Sequence, residues 1–249
     1  MKTKQIYIAS LVTLASSSLF AGTMGPVATP SSWSPVATLS LGPAWYNNNK
    51  SQTVAFDEGI SKRFTGGNSD KAVFSGEIFL GMQGTLIDQL IGEFGVAFAA
   101  NSKMDFSGRV WDFDDSQFSN YKYRYNVQHA RIGLKGKLIG DLGYMVQPYV
   151  SASIDAGFNR AKHFTLTTLI PEAVAFPGFQ SNSTTTVAYT LGAGIQRALT
   201  THWRAGVGYE FASLGTSKLG IAPGQAVGSG LKSKNLYTNE LQFSISYVA

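Results

Sequence analysis

The side chains best placed to do chemistry in this chain are charged residues at alternating positions within otherwise apolar stretches. They are Glu77, Glu93, Arg131, Lys135, Lys137, Asp155, Arg204, Glu210 and Glu240. Acids and bases nearly cancel in this set, so the expected arrangement is a salt-bridged plug, because an isolated interior charge costs too much to leave unpaired. The functional alternative is a lining for a narrow ion path. By distance from the short turns, Glu93, Lys135, Lys137 and Arg204 are expected low in the fold and Glu77, Arg131 and Glu210 near mid-height, with Arg131 and Glu210 as a pair.

Catalytic chemistry has little to stand on. The histidines are His129, His163 and His202, with no Gly-x-Ser-x-Gly and no histidine pair at metal spacing. His129 and His202 read as interfacial strand or turn residues. His163, among many Ser and Thr, is the only candidate for a lipid-modifying hydrolase. Asp112, Asp114 and Asp115 lie together beside Trp111, Phe113 and Phe118, yet lack the spacing of a calcium loop. Cysteine is absent, which removes disulfides and thiolate zinc sites. The glycine pairs Gly192/Gly194 and Gly206/Gly208 lie inside strands, so close packing explains them better than a phosphate loop. No enzyme activity, cofactor or metal is expected.

The elements that position these charges are long strands. In Gly143–Gly157, Tyr144, Val146, Pro148, Val150, Ala152, Ile154 and Ala156 share one apolar side, with Gln147, Ser151 and Asp155 opposite. That period of two marks a strand, and its length exceeds the roughly 5–6 residues usual in soluble sheets. Seven further runs repeat it, at about 36–46, 72–86, 92–101, 129–139, 187–195, 203–211 and 236–248. Long polar stretches at 47–71, 102–122, 160–183 and 213–235 alternate with short turns near Asp88, Gly140–Asp141 and Leu199–His202. All charges in these runs share the inward parity, the reverse of a soluble barrel. A basic side chain facing lipid at mid-depth costs about 2–4 kcal/mol, so membrane insertion would demand that exclusion. Pro43 and Pro148 lie inside strands, and bulges are expected to accommodate them. Tyr121, Tyr123 and Tyr125 share a parity with Arg131, which suggests a phase shift above His129.

Ahead of the strands, Met1–Ala21 has Lys2 and Lys4, an apolar core and a small residue at the cleavage point, the layout of a signal peptide. Residues 22–35, with Pro26, Pro30 and Pro35, read as an irregular lead-in to a barrel domain at 36–249. Removing the two lysines lowers the formal charge from +5 to +3, as 18 bases then face 15 acids. The basic balance therefore gives no support to nucleic-acid binding. After the signal no stretch approaches 18 apolar residues, which excludes a helical bundle.

The pattern resembles the small eight-stranded outer-membrane barrels, the group of opacity-protein-like surface antigens and the transmembrane part of outer-membrane protein A. The resemblance covers about Val36 to Ala249 and rests on strand pattern, loop order and the final strand. It implies an all-β, eight-stranded antiparallel transmembrane barrel with four long external loops and three short periplasmic turns, in the outer membrane of a Gram-negative cell. It also implies an insertion signal in Leu241, Phe243, Ile245 and Tyr247, although the last residue is Ala249 where relatives carry an aromatic. Expected partners are outer-membrane lipid and lipopolysaccharide, the barrel-assembly machinery, and a host or envelope protein met through the loops. Loop contact candidates are Trp111, Phe113, Phe118, Phe176 and Phe179. A monomeric surface protein with a structural, adhesion or host-contact role is the expected function, with a narrow pore as the alternative and a lipid-modifying enzyme behind it.

Overall fold

Alternate residues along each strand face opposite sides of the sheet, so a chain that keeps its apolar residues on one parity can close into a cylinder with a greasy exterior. The computed structural model describes residues 33–47, 51–56, 60–67, 72–225, 228 and 230–249. The signal peptide and most of the lead-in lie outside these residues. Among the described residues ten strands form: β1 (Trp33–Tyr46), β2 (Gln52–Ala55), β3 (Ser61–Gly66), β4 (Ala72–Ile87), β5 (Leu90–Asp112), β6 (Ser119–Gly140), β7 (Gln147–Thr168), β8 (Asn182–Ala198), β9 (Trp203–Lys218) and β10 (Lys232–Val248). Eight of them close an antiparallel ring in the order β1, β4, β5, β6, β7, β8, β9, β10. The first and last strands close the ring where Val36 pairs with Val248 and Leu41 with Phe243.

Burial follows the expected inversion. Leu80, Phe94 and Ile154 are 59%, 58% and 63% exposed on the outer surface, whereas Arg131 and Glu240 are 1% and 0% exposed within. Exposed aromatics mark both ends of the apolar belt. Trp33, Trp203 and Tyr247 lie at the turn end, and Trp45, Phe74, Tyr189 and Tyr237 at the other. Such girdles belong at the two membrane interfaces.

The stretches expected as external loops are largely strand. Residues 47–71 contain the β2–β3 hairpin, which docks on the distal part of β5 from Lys62–Asp112 to Gly66–Gly108. β5 and β6 pair almost to their tip, from Asn101–His129 up to Trp111–Ser119. β7 continues to Thr168, β9 to Lys218, and β10 begins at Lys232, leaving 169–181 as the principal irregular external segment among the described residues. The wall therefore stands well above the apolar belt.

Smaller departures concern strand ends and prolines. β1 starts at Trp33, inside the expected lead-in. β7 starts at Gln147, so Tyr144 and Val146 belong to an exposed turn. Pro43 causes no bulge: it pairs in register with Phe74, and the β1–β10 ladder skips Gly42 and Pro43. Pro148 is the second residue of β7 and pairs with Ile195.

Candidate functional site

The inward parity of β4, β6 and β9 brings four charges together halfway along the barrel. The Arg131 guanidinium donates to Glu210 at 2.6 Å and to Glu77 at 3.1 Å. Lys135, four residues lower on the same strand and on the same face, donates to Glu77 at 2.5 Å and to Glu210 at 2.6 Å. Each acid thus bridges both bases in a closed square of charge-assisted hydrogen bonds between buried partners. Lys135, expected in the lower group, belongs instead to this middle layer. The reach of its ammonium decides this, since the backbone position alone is lower.

Toward the turn end lies a second layer. Glu93 is flanked by Lys137 at 3.5 Å and Arg204 at 3.8 Å. Arg204 also donates to Gln83, and Lys137 to Gln196 at 2.6 Å. Lys137 lies 4.5 Å from the Tyr149 ring centre. Gly194 and Gly208 make room for that ring, because a Cβ on either would meet the Tyr149 hydroxyl. Between the layers is a cavity of about 30 Å³ reached by Thr38, Ser40, Tyr149, Gln242 and Ser244, enough for about one water. Asp155 and Glu240 have neutral donors: Ser153 for the first, Ser75 and Thr238 for the second.

Above the charges the interior changes character. Tyr121, Tyr123 and Tyr125 keep the inward parity of Arg131, so the strand does not shift phase. They pack with Phe64, Phe106, Val110, Met104, Leu214 and Leu236 into an aromatic core. Burial pushes the Tyr123 and Tyr125 phenols above their ordinary range, so both stay neutral. The 169–181 segment closes this core from above. Phe179 meets Phe64 at 5.3 Å and Phe164 at 5.1 Å, and Phe176 meets Tyr121 at 5.4 Å between ring centres. Phe179, expected as a loop contact, is therefore a core residue, and Phe176, expected in the same role, packs half-buried against that core. Lys62 spans the same rings, 4.6 Å from Phe176 and 4.9 Å from Tyr121, and pairs with Asp112. The sequence signal for this core was the Tyr121/Tyr123/Tyr125 alternation.

The remaining candidates stay apart. Asp112 serves Lys62 and Asn120, Asp114 pairs with Arg63, and Asp115 caps the 3-10 turn at Ser116–Phe118 by accepting from the Gln117 amide. The three acids thus form no metal cradle. Phe113 and Phe118 are exposed at the β5–β6 tip with ring centres 6.2 Å apart, while Trp111 is half-buried under Arg63. His163 is exposed at a positive φ of 58° in β7. His129 is buried against Asn159 at 2.8 Å, and His202 bonds the Val248 carbonyl near the turn end. Leu241, Phe243, Ile245 and Tyr247 all face outward on β10.

An apolar exterior, an ionic interior and aromatic girdles on an eight-stranded ring define an outer-membrane β-barrel protein. The chain is similar in fold to several solved structures. Neisserial surface protein A (NspA) matches over 87% of this chain and 97% of its own, at 14% identity and a TM-score of 0.38. The outer membrane protein OprG of Pseudomonas aeruginosa matches over 86% and 96%, at 13% identity and 0.48. The outer membrane protease OmpT of Escherichia coli matches over 87% and 97%, at 9% identity and 0.48. No protein-family model and no curated protein matches the chain.

Proposed function

We propose that this outer-membrane barrel is a closed, monomeric surface protein that uses its tall external extension to contact a host or envelope protein. One observation carries the proposal: the interior is occupied at successive levels, by the lower ion pairs, the four-charge square and the aromatic core. The chemistry left accessible to a partner is then on the tip. Phe113, Phe118, Leu169, Ile170 and Val174 are exposed there, and clustered apolar groups of this kind favour partner contact. In this proposal the chain is exported through Met1–Ala21 and inserted by the assembly machinery, which reads the outward stripe of β10.

Cells displaying the protein should attach to host epithelium or to neighbouring cells more strongly than cells displaying a Phe113→Ser/Phe118→Ser variant. Equal attachment removes the contact role. The second reading, a narrow pore, draws on the polar cavity between the two charged layers. Planar-bilayer recording separates the two, a closed barrel giving no unitary currents. The proposed role needs no catalytic step, so the purified barrel, with His163 intact, should release no fatty acid from outer-membrane lipid.

A further inference from the structure

The β8–β9 ladder stops before its strands do. It runs from the Ala198–Arg204 pair up to the Tyr189–Ser213 pair, yet β8 reaches Asn182 and β9 reaches Lys218. Above Tyr189, residues 183–188 stay paired with β7, from Ala188 opposite Asp155 to Ser183 opposite Arg160. β9 keeps its partner β10 but breaks register between the Leu236–Gly215 and Tyr237–Ser213 pairs, where Gly215 has a φ of 72°. A glycine in that conformation forms a bulge that bends its strand.

Three side chains show where β9 goes. Asn159 is buried on β7, and its Nδ2 donates to the Leu214 carbonyl at 2.8 Å and to the Thr216 carbonyl at 3.1 Å. Asn182 and Thr186 share the inward parity of Ala188 on β8. Asn182 donates to the Lys218 carbonyl at 3.3 Å, and a Cβ on Gly215 would meet the Thr186 hydroxyl. In a flat sheet β9 would lie about 10 Å from β7, out of reach of an asparagine. It passes instead across the inner face of β8, and the upper edge of β8 is left without a strand beside it. Alternate residues of an antiparallel strand turn their N–H and C=O toward that edge. The Val187 carbonyl takes the Thr186 hydroxyl at 3.3 Å as a local substitute. Sheet edges are normally guarded by charge, proline or a bulge. Residues 183–188, with the sequence STTTVA, have no charge or proline, pair with β7 without a register shift, and are mostly β-branched, as strands prefer.

We propose that residues 183–188 form a docking edge at which an extended segment of a partner protein adds as a strand; this rests on the contact role of the external extension but uses its side wall rather than its tip. Free backbone groups at strand spacing are matched by another backbone. A second copy of the chain is the poorer fit. In one membrane the two copies are related by an axis along the membrane normal, which brings their edges together in parallel, the slightly less stable pairing, and sets Arg160 against its own copy. The side chains define the segment. Val187 is 69% exposed at the membrane end of the edge, next to Tyr189, and Arg160 is exposed across from Ser183 at the far end. A segment running antiparallel to β8 therefore carries apolar residues toward its start and an acidic residue toward its end.

The test uses the refolded full chain in detergent micelles and the end-capped peptide Val-Thr-Val-Thr-Glu-Thr. Amide hydrogen exchange should be fast at alternate positions of 183–188 in the free chain and slowed there when the peptide is bound. Two N-methylated forms of the peptide, one for each set of alternate residues, should differ: one binds at least about tenfold more weakly than the parent peptide and the other about as well. Arg160→Gln should weaken binding by up to about fivefold. The Phe113→Ser/Phe118→Ser variant should bind the peptide as the parent does, so that failure of the edge and failure of the tip contact are read separately. Exchange in the free chain that is as slow throughout 183–188 as in 190–196 overturns the proposal, because the edge is then covered. So do equal binding of all three peptides, no binding of any, or protection confined to another segment.

Discussion

Arg131 and Glu210 face each other across the barrel axis at 2.6 Å, and Glu77 accepts from the same guanidinium nitrogen at 3.1 Å. Arg131→Met leaves two buried carboxylates sharing Lys135 alone, a loss expected to cost about 3–5 kcal/mol. Removing Glu210 as well, as Gln, should recover part of that cost. A double-mutant cycle read by urea unfolding in phospholipid vesicles should give a coupling of about 0.5–3 kcal/mol. A coupling indistinguishable from zero would mean that the square is not energetically closed.

The height of the apolar belt can be measured along one strand. Leu134 and Gln128 lie on the same outward face of β6, both exposed, but Leu134 is in the belt and Gln128 above it. Leu134→Lys should therefore cost about 2–4 kcal/mol in membrane-embedded stability, whereas Gln128→Lys should leave the unfolding midpoint nearly unchanged. Equal effects would place the boundary of the belt elsewhere along β6.

Within the belt, the sequence made both strand and side legible, because lipid imposes a stricter rule than water does. One misplaced lysine there is costly, so parity stays clean from Phe74 to Met82 and from Ala130 to Leu138. Above the belt the rule changes sign. Lys122 and Arg124 face water while Tyr121, Tyr123 and Tyr125 fill the centre, as in a soluble protein. Residues 102–122 read as polar loop because charge in a sequence ordinarily marks a loop, and the tyrosine alternation beyond them reads as a change of phase. The β2–β3 hairpin was hidden for the same reason: Lys62, Arg63 and Thr65 outnumber Phe64, whose ring nonetheless anchors the whole extension. The Arg131–Glu210 pair was predictable from strand spacing, but the partners of Lys135 were not, since they depend on how far a flexible side chain reaches.

That anchoring role makes Phe64 a test of the two-storey architecture. Its ring is fully buried and lies within 5.3–6.3 Å of Phe179, Tyr123 and Phe176. Phe64→Ala should cost the extension about 3–5 kcal/mol. Its visible result should be rapid protease cleavage between residues 169 and 181, with the membrane barrel still resisting detergent at room temperature on a gel. Loss of both together would show that the two storeys fold as one unit.

Gly42 supplies the sharpest packing test because the obstacle is backbone. A Cβ placed there would lie 1.7 Å from the Leu241 carbonyl oxygen, at the point where Pro43 interrupts the β1–β10 ladder. No rotamer change relieves that overlap, so Gly42→Ala must push the first and last strands apart at the seam of the ring. Overpacking of this kind costs about 1–3 kcal/mol, and a seam defect should appear as a lowered temperature for the gel-mobility transition. Gly136→Ala is the control, its added carbon meeting nothing nearer than 3.9 Å. If both variants melt together with the parent, β1 and β10 are not held as closely as their register implies.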